Sequence, residues 1–149
     1  MEDEISKVQK SKHQPVMKVS WEYYEHLVDK LYNMIPKNKY GNISGIPRGG
    51  LIPAVMLSHK LNLPLIDLED IHKDTLVVDD ICDTGITLSK IKGFDVATLF
   101  VRRTSTIKPK YSAESLFGDE WILFPYERDP KSVESQKPPC KTPATGDFE

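Results

Sequence analysis

The chain is short of the features that mark several large protein classes. Cysteine is scarce: Cys82 and Cys140 are the only two. Two cysteines make no disulfide framework, and no CxxC pair or His/Cys cluster has zinc-ligand spacing. A reducing, cytoplasmic setting is the expectation. Long apolar runs are missing. The longest, around 76–78 and 121–124, fall far short of the ~20 residues that span a bilayer. Residues 1–12 are charged and carry no apolar stretch, which argues against a secretory signal. Neither sign of charge dominates. A formal net charge of −2 gives no global positive field to hold nucleic-acid phosphates. Neither a membrane nor a nucleic acid is therefore an expected partner. The GxxxxGK[ST] and GxGxxG phosphate-binding patterns are absent, and no internal repeat is visible.

What is present fits one soluble domain of 149 residues. Residues 1–17 are polar and read as a flexible arm. Residues 129–149 hold Pro130, Pro138, Pro139 and Pro143 among Lys, Ser, Thr and Glu. That composition buries too little apolar surface to offset its ordering entropy, and predicts disorder. The working domain is then 18–128.

Within it, apolar strands alternate with helical patterns. Ser20 is the expected N-cap of a helix whose apolar face is Trp21, Tyr24, Leu27, Val28, Leu31 and Ile35. Pro36 ends it. Strands are expected over 42–46, 63–68, 75–79, 96–101 and 121–124, and helices over 51–61 and 87–91. This alternation predicts an α/β fold with an open, mostly parallel sheet flanked by helices. Ligands of such sheets bind at the carboxyl ends of the strands, here the loops after Ile46, Asp79 and Val101.

The segment Thr75-Leu-Val-Val-Asp-Asp-Ile-Cys-Asp-Thr-Gly-Ile-Thr87 carries the chemistry. A buried strand delivers two carboxylates, Asp79 and Asp80, to the edge of the sheet. A turn of small and hydroxyl residues follows and opens a helix, and its backbone N–H groups suit an anion. Thr84 and Thr87 add hydroxyls, and Gly85 permits close approach or a positive φ. Two acids beside a phosphate cradle suit a sugar phosphate. The acids accept from ribose hydroxyls and face a hard cation such as Mg²⁺, and the loop takes the 5′-phosphate.

The stretch from Val77 to Thr87 resembles the signature of type I phosphoribosyltransferases, which bind 5-phosphoribosyl-1-pyrophosphate (PRPP). The resemblance covers Val19 to Glu127 and implies a Rossmann-like fold, Mg²⁺ dependence and a homodimer or higher homo-oligomer. It places PRPP on Arg48, Gly49, Asp79, Asp80, Cys82, Asp83, Thr84, Gly85, Ile86 and Thr87, with the metal at Asp79 and Asp80. Ile43-Ser-Gly-Ile-Pro-Arg-Gly-Gly-Leu-Ile-Pro-Ala54 is similar to the family's pyrophosphate loop, where Arg48 offers a planar fork of donors. In the family this loop often holds a strained peptide bond. Trp121-Ile-Leu-Phe-Pro-Tyr-Glu127 resembles the end of xanthine–guanine and archaeal hypoxanthine-type enzymes. That likeness implies that Trp121 stacks on a purine and that the backbone of Ile122 reads its edge. Asp83, before Thr84-Gly85, is the residue that 6-oxopurine members carry, and it implies a general acid/base role at the purine N7. Asp83 and Arg48 are the catalytic candidates. The base site comprises Asp83, Arg102, Trp121 and Ile122.

Two departures from the family pattern bear on function. Arg102 stands where a lysine is expected to donate to the purine O6, and Arg103 where proline is common. Only residues 69–74 separate the third strand candidate from the PRPP strand, leaving little room for the flexible hood that closes over the reacting centre. His72 and Lys73 on that link read as a solvated turn. The expected function is transfer of phosphoribosyl from PRPP to hypoxanthine, guanine or xanthine in purine salvage, releasing pyrophosphate. A non-catalytic PRPP- or nucleotide-binding regulator, and an enzyme for another base, are the alternatives.

Overall fold

The computed structural model describes residues 14–128. The expected disordered tail 129–149, with Cys140, and most of the expected arm lie outside the described residues.

Ser20 caps the first helix, α1 (Trp21–Met34), its hydroxyl accepting from the Tyr23 amide at 3.0 Å. Its inward stripe is Tyr24, Leu27, Val28 and Leu31, all fully buried. Burying each leucine contributes roughly 1.5–3 kcal/mol relative to leaving it exposed. Trp21, expected on that face, is about half exposed. The chain then forms β2 (Asn42–Gly45) and α2 (Leu51–Leu61). Pro53 sits in the first turn of α2, where no amide partner is lost. After α2 come β3 (Thr75–Cys82), the single-turn α3 (Ile86–Ser89), β4 (Asp95–Arg102), β5 (Tyr111–Leu116) and β6 (Trp121–Leu123). Strands β2, β3, β4 and β5 form one parallel sheet in that order.

Both faces of this sheet are covered, so its central strands are apolar nearly throughout. Alternation along β3 divides the core. Leu76 and Val78 pack with Tyr24, Leu27, Leu31, Ala54 and Leu57 of α1 and α2. Val77 packs on the opposite face with Val96, Val101 and Leu88 of α3.

Several expectations are corrected. The strand expected over 63–68 is a single parallel bridge between Ile43 and Leu65. Pro64 in it has no amide to donate, and the chain turns at once into a 3-10 turn, Leu68–Asp70. The last strand does not join the main sheet. β6 pairs in parallel with β1 (Val16–Lys18), so Val16 and Met17, expected at the end of the arm, belong to a strand. β5 was not expected at all. It is an edge strand with Tyr111, Ala113 and Leu116 facing inward and Ser112 and Glu114 outward, a pattern with too few large apolar residues to stand out. β3 runs three residues further than its expected end at Asp79, which matters for the site.

The 69–74 link turns at the amino ends of the strands. His72 Nε2 lies 3.0 Å from Asn42 Nδ2 at the start of β2, and the His72 amide donates to Thr75 Oγ1 at the start of β3. His72 thus sits in a turn at the end of the sheet opposite the candidate loops.

Candidate active site

Two recesses lie at the carboxyl ends of β3 and β4. The first encloses about 400 Å³, counting its open mouth, and is lined by Gly49, Asp79, Ile81, Cys82 and every residue from Asp83 to Leu88. The second, about 380 Å³, is lined by Ile81, Asp83, Arg102, Trp121, Ile122, Phe124 and Glu127. Ile81 and Asp83 line both, so the recesses adjoin along the end of β3.

The first recess is the one expected to hold phosphate. Gly85 has φ of 94°, a left-handed conformation that L side chains enter only at a cost. A Cβ there would also come to 3.0 Å from the Ile107 amide nitrogen. The turn is braced from that side. Thr106 donates from its hydroxyl to the Thr84 carbonyl at 3.2 Å, and the Cys82 thiol lies 3.2 Å from Ser105 Oγ. With only four residues in α3, a helix dipole adds little. The groups the turn offers an anion are its amides and the hydroxyls of Thr84 and Thr87. Cys82 is 2% exposed and burial pushes its thiol pKa up, so it fills space rather than acting as a nucleophile.

The acid pair separates. β3 is still a strand at Asp79 and Asp80, and successive strand residues point to opposite faces. Asp79 lines the phosphate recess, its Oδ1 accepting from the Asp80 amide at 2.8 Å. Asp80 is 0% exposed and lies against the pyrophosphate-type loop. A Cβ on Gly49 would stand 2.0 Å from its Oδ2. The two carboxylates thus meet different surroundings, Asp79 the recess and Asp80 the Gly49 loop. The peptide bond between Pro47 and Arg48 is cis. Arg48 is exposed on that loop, and Gly49, not Arg48, lines the recess.

The second recess brings together all four expected base-site residues. β6, held by β1, supplies the partly exposed Trp121 and the buried Ile122. Arg102, at the end of β4, is 8% exposed. Its Nε donates to Asp83 Oδ1 at 2.9 Å, its Nη1 to the Gly118 carbonyl and its Nη2 to the Glu120 carbonyl, each at 2.9 Å. Three of a guanidinium's five N–H groups are so engaged. Arg102 thus holds Asp83 and the 118–120 loop in addition to lining the recess. Sequence reasoning missed Ile81, Phe124, Glu127 and the 105–107 brace. A period-two reading of β3 carried past Asp79 would have found Ile81.

Among the described residues, no cluster of three or more His, Cys, Asp or Glu could hold a metal, and no helix is long and apolar enough to cross a membrane. No family model matches the chain. It is similar to the xanthine-guanine phosphoribosyltransferase of Chromohalobacter salexigens, with 30% identity over 78% of this chain and 86% of the relative. It is also similar to the solved structure of a purine phosphoribosyltransferase from Pyrococcus horikoshii, with 30% identity, 77% of this chain and 96% of that chain covered, and a TM-score of 0.67. The xanthine-guanine-hypoxanthine phosphoribosyltransferase of Helicobacter pylori shares the fold at 23% identity and a TM-score of 0.65, over 81% of this chain and 99% of that one.

Proposed function

This chain belongs to the type I phosphoribosyltransferases of the 6-oxopurine branch, and from that premise we propose that it transfers phosphoribosyl from PRPP to hypoxanthine, guanine or xanthine. The observation that carries this reading is the pair of adjoining recesses sharing Ile81 and Asp83, one a hydroxyl-rich turn and the other aromatic and apolar. A nucleotide has the same two-part chemistry, a phosphorylated sugar joined to a flat base.

The 5′-phosphate sits on the 84–87 turn and the ribose hydroxyls donate to Asp79. Arg48 and the Gly49 backbone face the leaving pyrophosphate. The purine stacks on Trp121, with its imidazole edge toward Asp83. Arg102 occupies one oxygen of that carboxylate, so Oδ2 is the acceptor for the N7 proton. The bond from the ribose C1 carbon to pyrophosphate breaks as the bond to purine N9 forms. The protein's part is positioning and charge stabilisation. Mg²⁺ needs few protein ligands when it travels with substrate phosphates, and Asp79 is the carboxylate that fits it here. Bound with PRPP, the ion supplies charge neutralisation to the leaving group.

Dependence on Mg²⁺, a cytoplasmic location and a homodimer belong to the same proposal. Calorimetric titration of PRPP with and without Mg²⁺ tests the site. Binding that requires Mg²⁺ and weakens markedly in Asp79→Asn is the expected result; PRPP binding unchanged in that variant would refute it.

A further inference from the structure

The proposed reaction uses Asp79 and leaves Asp80 unexplained. Asp80 is a wholly buried carboxylate on the α1 side of the sheet. A charge out of water requires hydrogen-bonding partners. Its Oδ1 accepts from the Ile81 amide at 2.7 Å. Two tyrosines share its surroundings. Tyr24 of α1 is 0% exposed, and Tyr126 follows β6 in the segment that lines the base recess. Their rings meet edge to face at 5.8 Å. Tyr126 also stacks on Phe124, with ring centroids 5.7 Å apart and planes 2° from parallel, and Phe124 itself lines the base recess. The Tyr126 hydroxyl points to the Gly49 carbonyl at 3.5 Å. Gly49 in turn covers Asp80 Oδ2 and lines the phosphate recess. Burial, first, and the Asp80 charge both push the Tyr126 hydroxyl pKa far up, so it remains a protonated donor. The Tyr24 hydroxyl pKa is raised chiefly by burial, with the Asp80 charge adding to it, and it stays protonated as well.

We infer that Tyr126 is a positioning residue: its hydroxyl steadies the Gly49 backbone over Asp80, and its ring, stacked on Phe124, ties that pyrophosphate-facing loop to the wall of the base recess. Tyr24 backs it from α1. Asp80 then acts through the loop above it, and Tyr126 joins the two substrate recesses. This inference rests on the proposed function and deepens it.

Tyr126→Phe keeps the ring and its stacking and removes only the hydroxyl. PRPP titration in the presence of Mg²⁺, steady-state kinetics and thermal melting are measured on native protein and variant. The expected result is PRPP affinity weaker by about tenfold, the scale of one lost hydrogen bond beside a charge. The purine KM stays within about twofold and the melting temperature changes little. PRPP affinity within about twofold of native overturns the inference while leaving the proposed function standing. Equal losses for PRPP and purine with a lowered melting temperature also overturn it, since they mark a merely structural tyrosine. Native protein that binds no PRPP overturns both.

Discussion

Arg102 Nε and Asp83 Oδ1 are 2.9 Å apart, at the point where the base recess meets the phosphate recess. The ion pair is mostly buried; the two side chains are 10% and 27% exposed. The same guanidinium closes on the carbonyls of Gly118 and Glu120. A planar fork can serve three acceptors at once, and a lysine ammonium on a flexible stem cannot match that geometry.

Arg102→Lys is therefore expected to raise the purine KM by about tenfold or more and to lower the melting temperature. Arg102→Ala leaves Asp83 without its partner. Its activity with oxopurines should fall about tenfold to a hundredfold, the scale of ~1–3 kcal/mol for a lost buried donor. Any activity with adenine should fall less, because the 6-amino group is itself a donor. Steady-state kinetics with hypoxanthine, guanine, xanthine and adenine measure both variants.

Gly85→Ala places a side chain at φ of 94° and crowds the Ile107 amide and the Thr106 hydroxyl. A destabilisation of roughly 1–2 kcal/mol is expected from the backbone alone, with weakened PRPP binding. Chemical denaturation and calorimetry read the two effects separately.

The fold was legible where large apolar residues keep a helical period, as in α1. It was illegible where one residue type carried two meanings. Asp79 and Asp80 read as a pair because both are acids; the strand's alternation sends them to opposite faces. β5 is small and polar outward, and β1 is three residues long, so neither gave a periodic signal. Asp83, Arg102, Trp121 and Ile122, named from the sequence, line one recess. Arg102's two carbonyl partners were not legible, since they come from a loop whose position depends on β5 and β6.

Cys82 should resist alkylation in the folded protein at neutral pH. Burial raises its pKa, and the thiolate is the reactive form. Peptide mapping after iodoacetamide treatment should find Cys82 unmodified unless denaturant is present; rapid native-state labelling would contradict this environment.

At the opposite end of the sheet, the Tyr40 hydroxyl donates to Asp95 Oδ2 at 2.6 Å and holds that carboxyl below its ordinary pKa, helped by Lys110 and Lys39. A depressed carboxyl pKa gives stability that is present above the unfolded-state value and is lost as pH falls through the folded-state value. Tyr40→Phe should therefore lose stability near neutral pH and show a shallower acid dependence. Its kinetic constants should be unchanged, because this cluster lies at the amino ends of β4 and β5. Melting temperature followed from neutral to acidic pH, alongside kinetics, checks both halves.

The most direct test of the central claim is pyrophosphate release from PRPP and Mg²⁺ with a panel of bases. The adjoining recesses predict release with hypoxanthine, guanine or xanthine and far less with adenine. Release that is fastest with adenine or a pyrimidine would contradict the roles given to Asp83 and Arg102. PRPP binding without release for any base would contradict the assignment as a transferase.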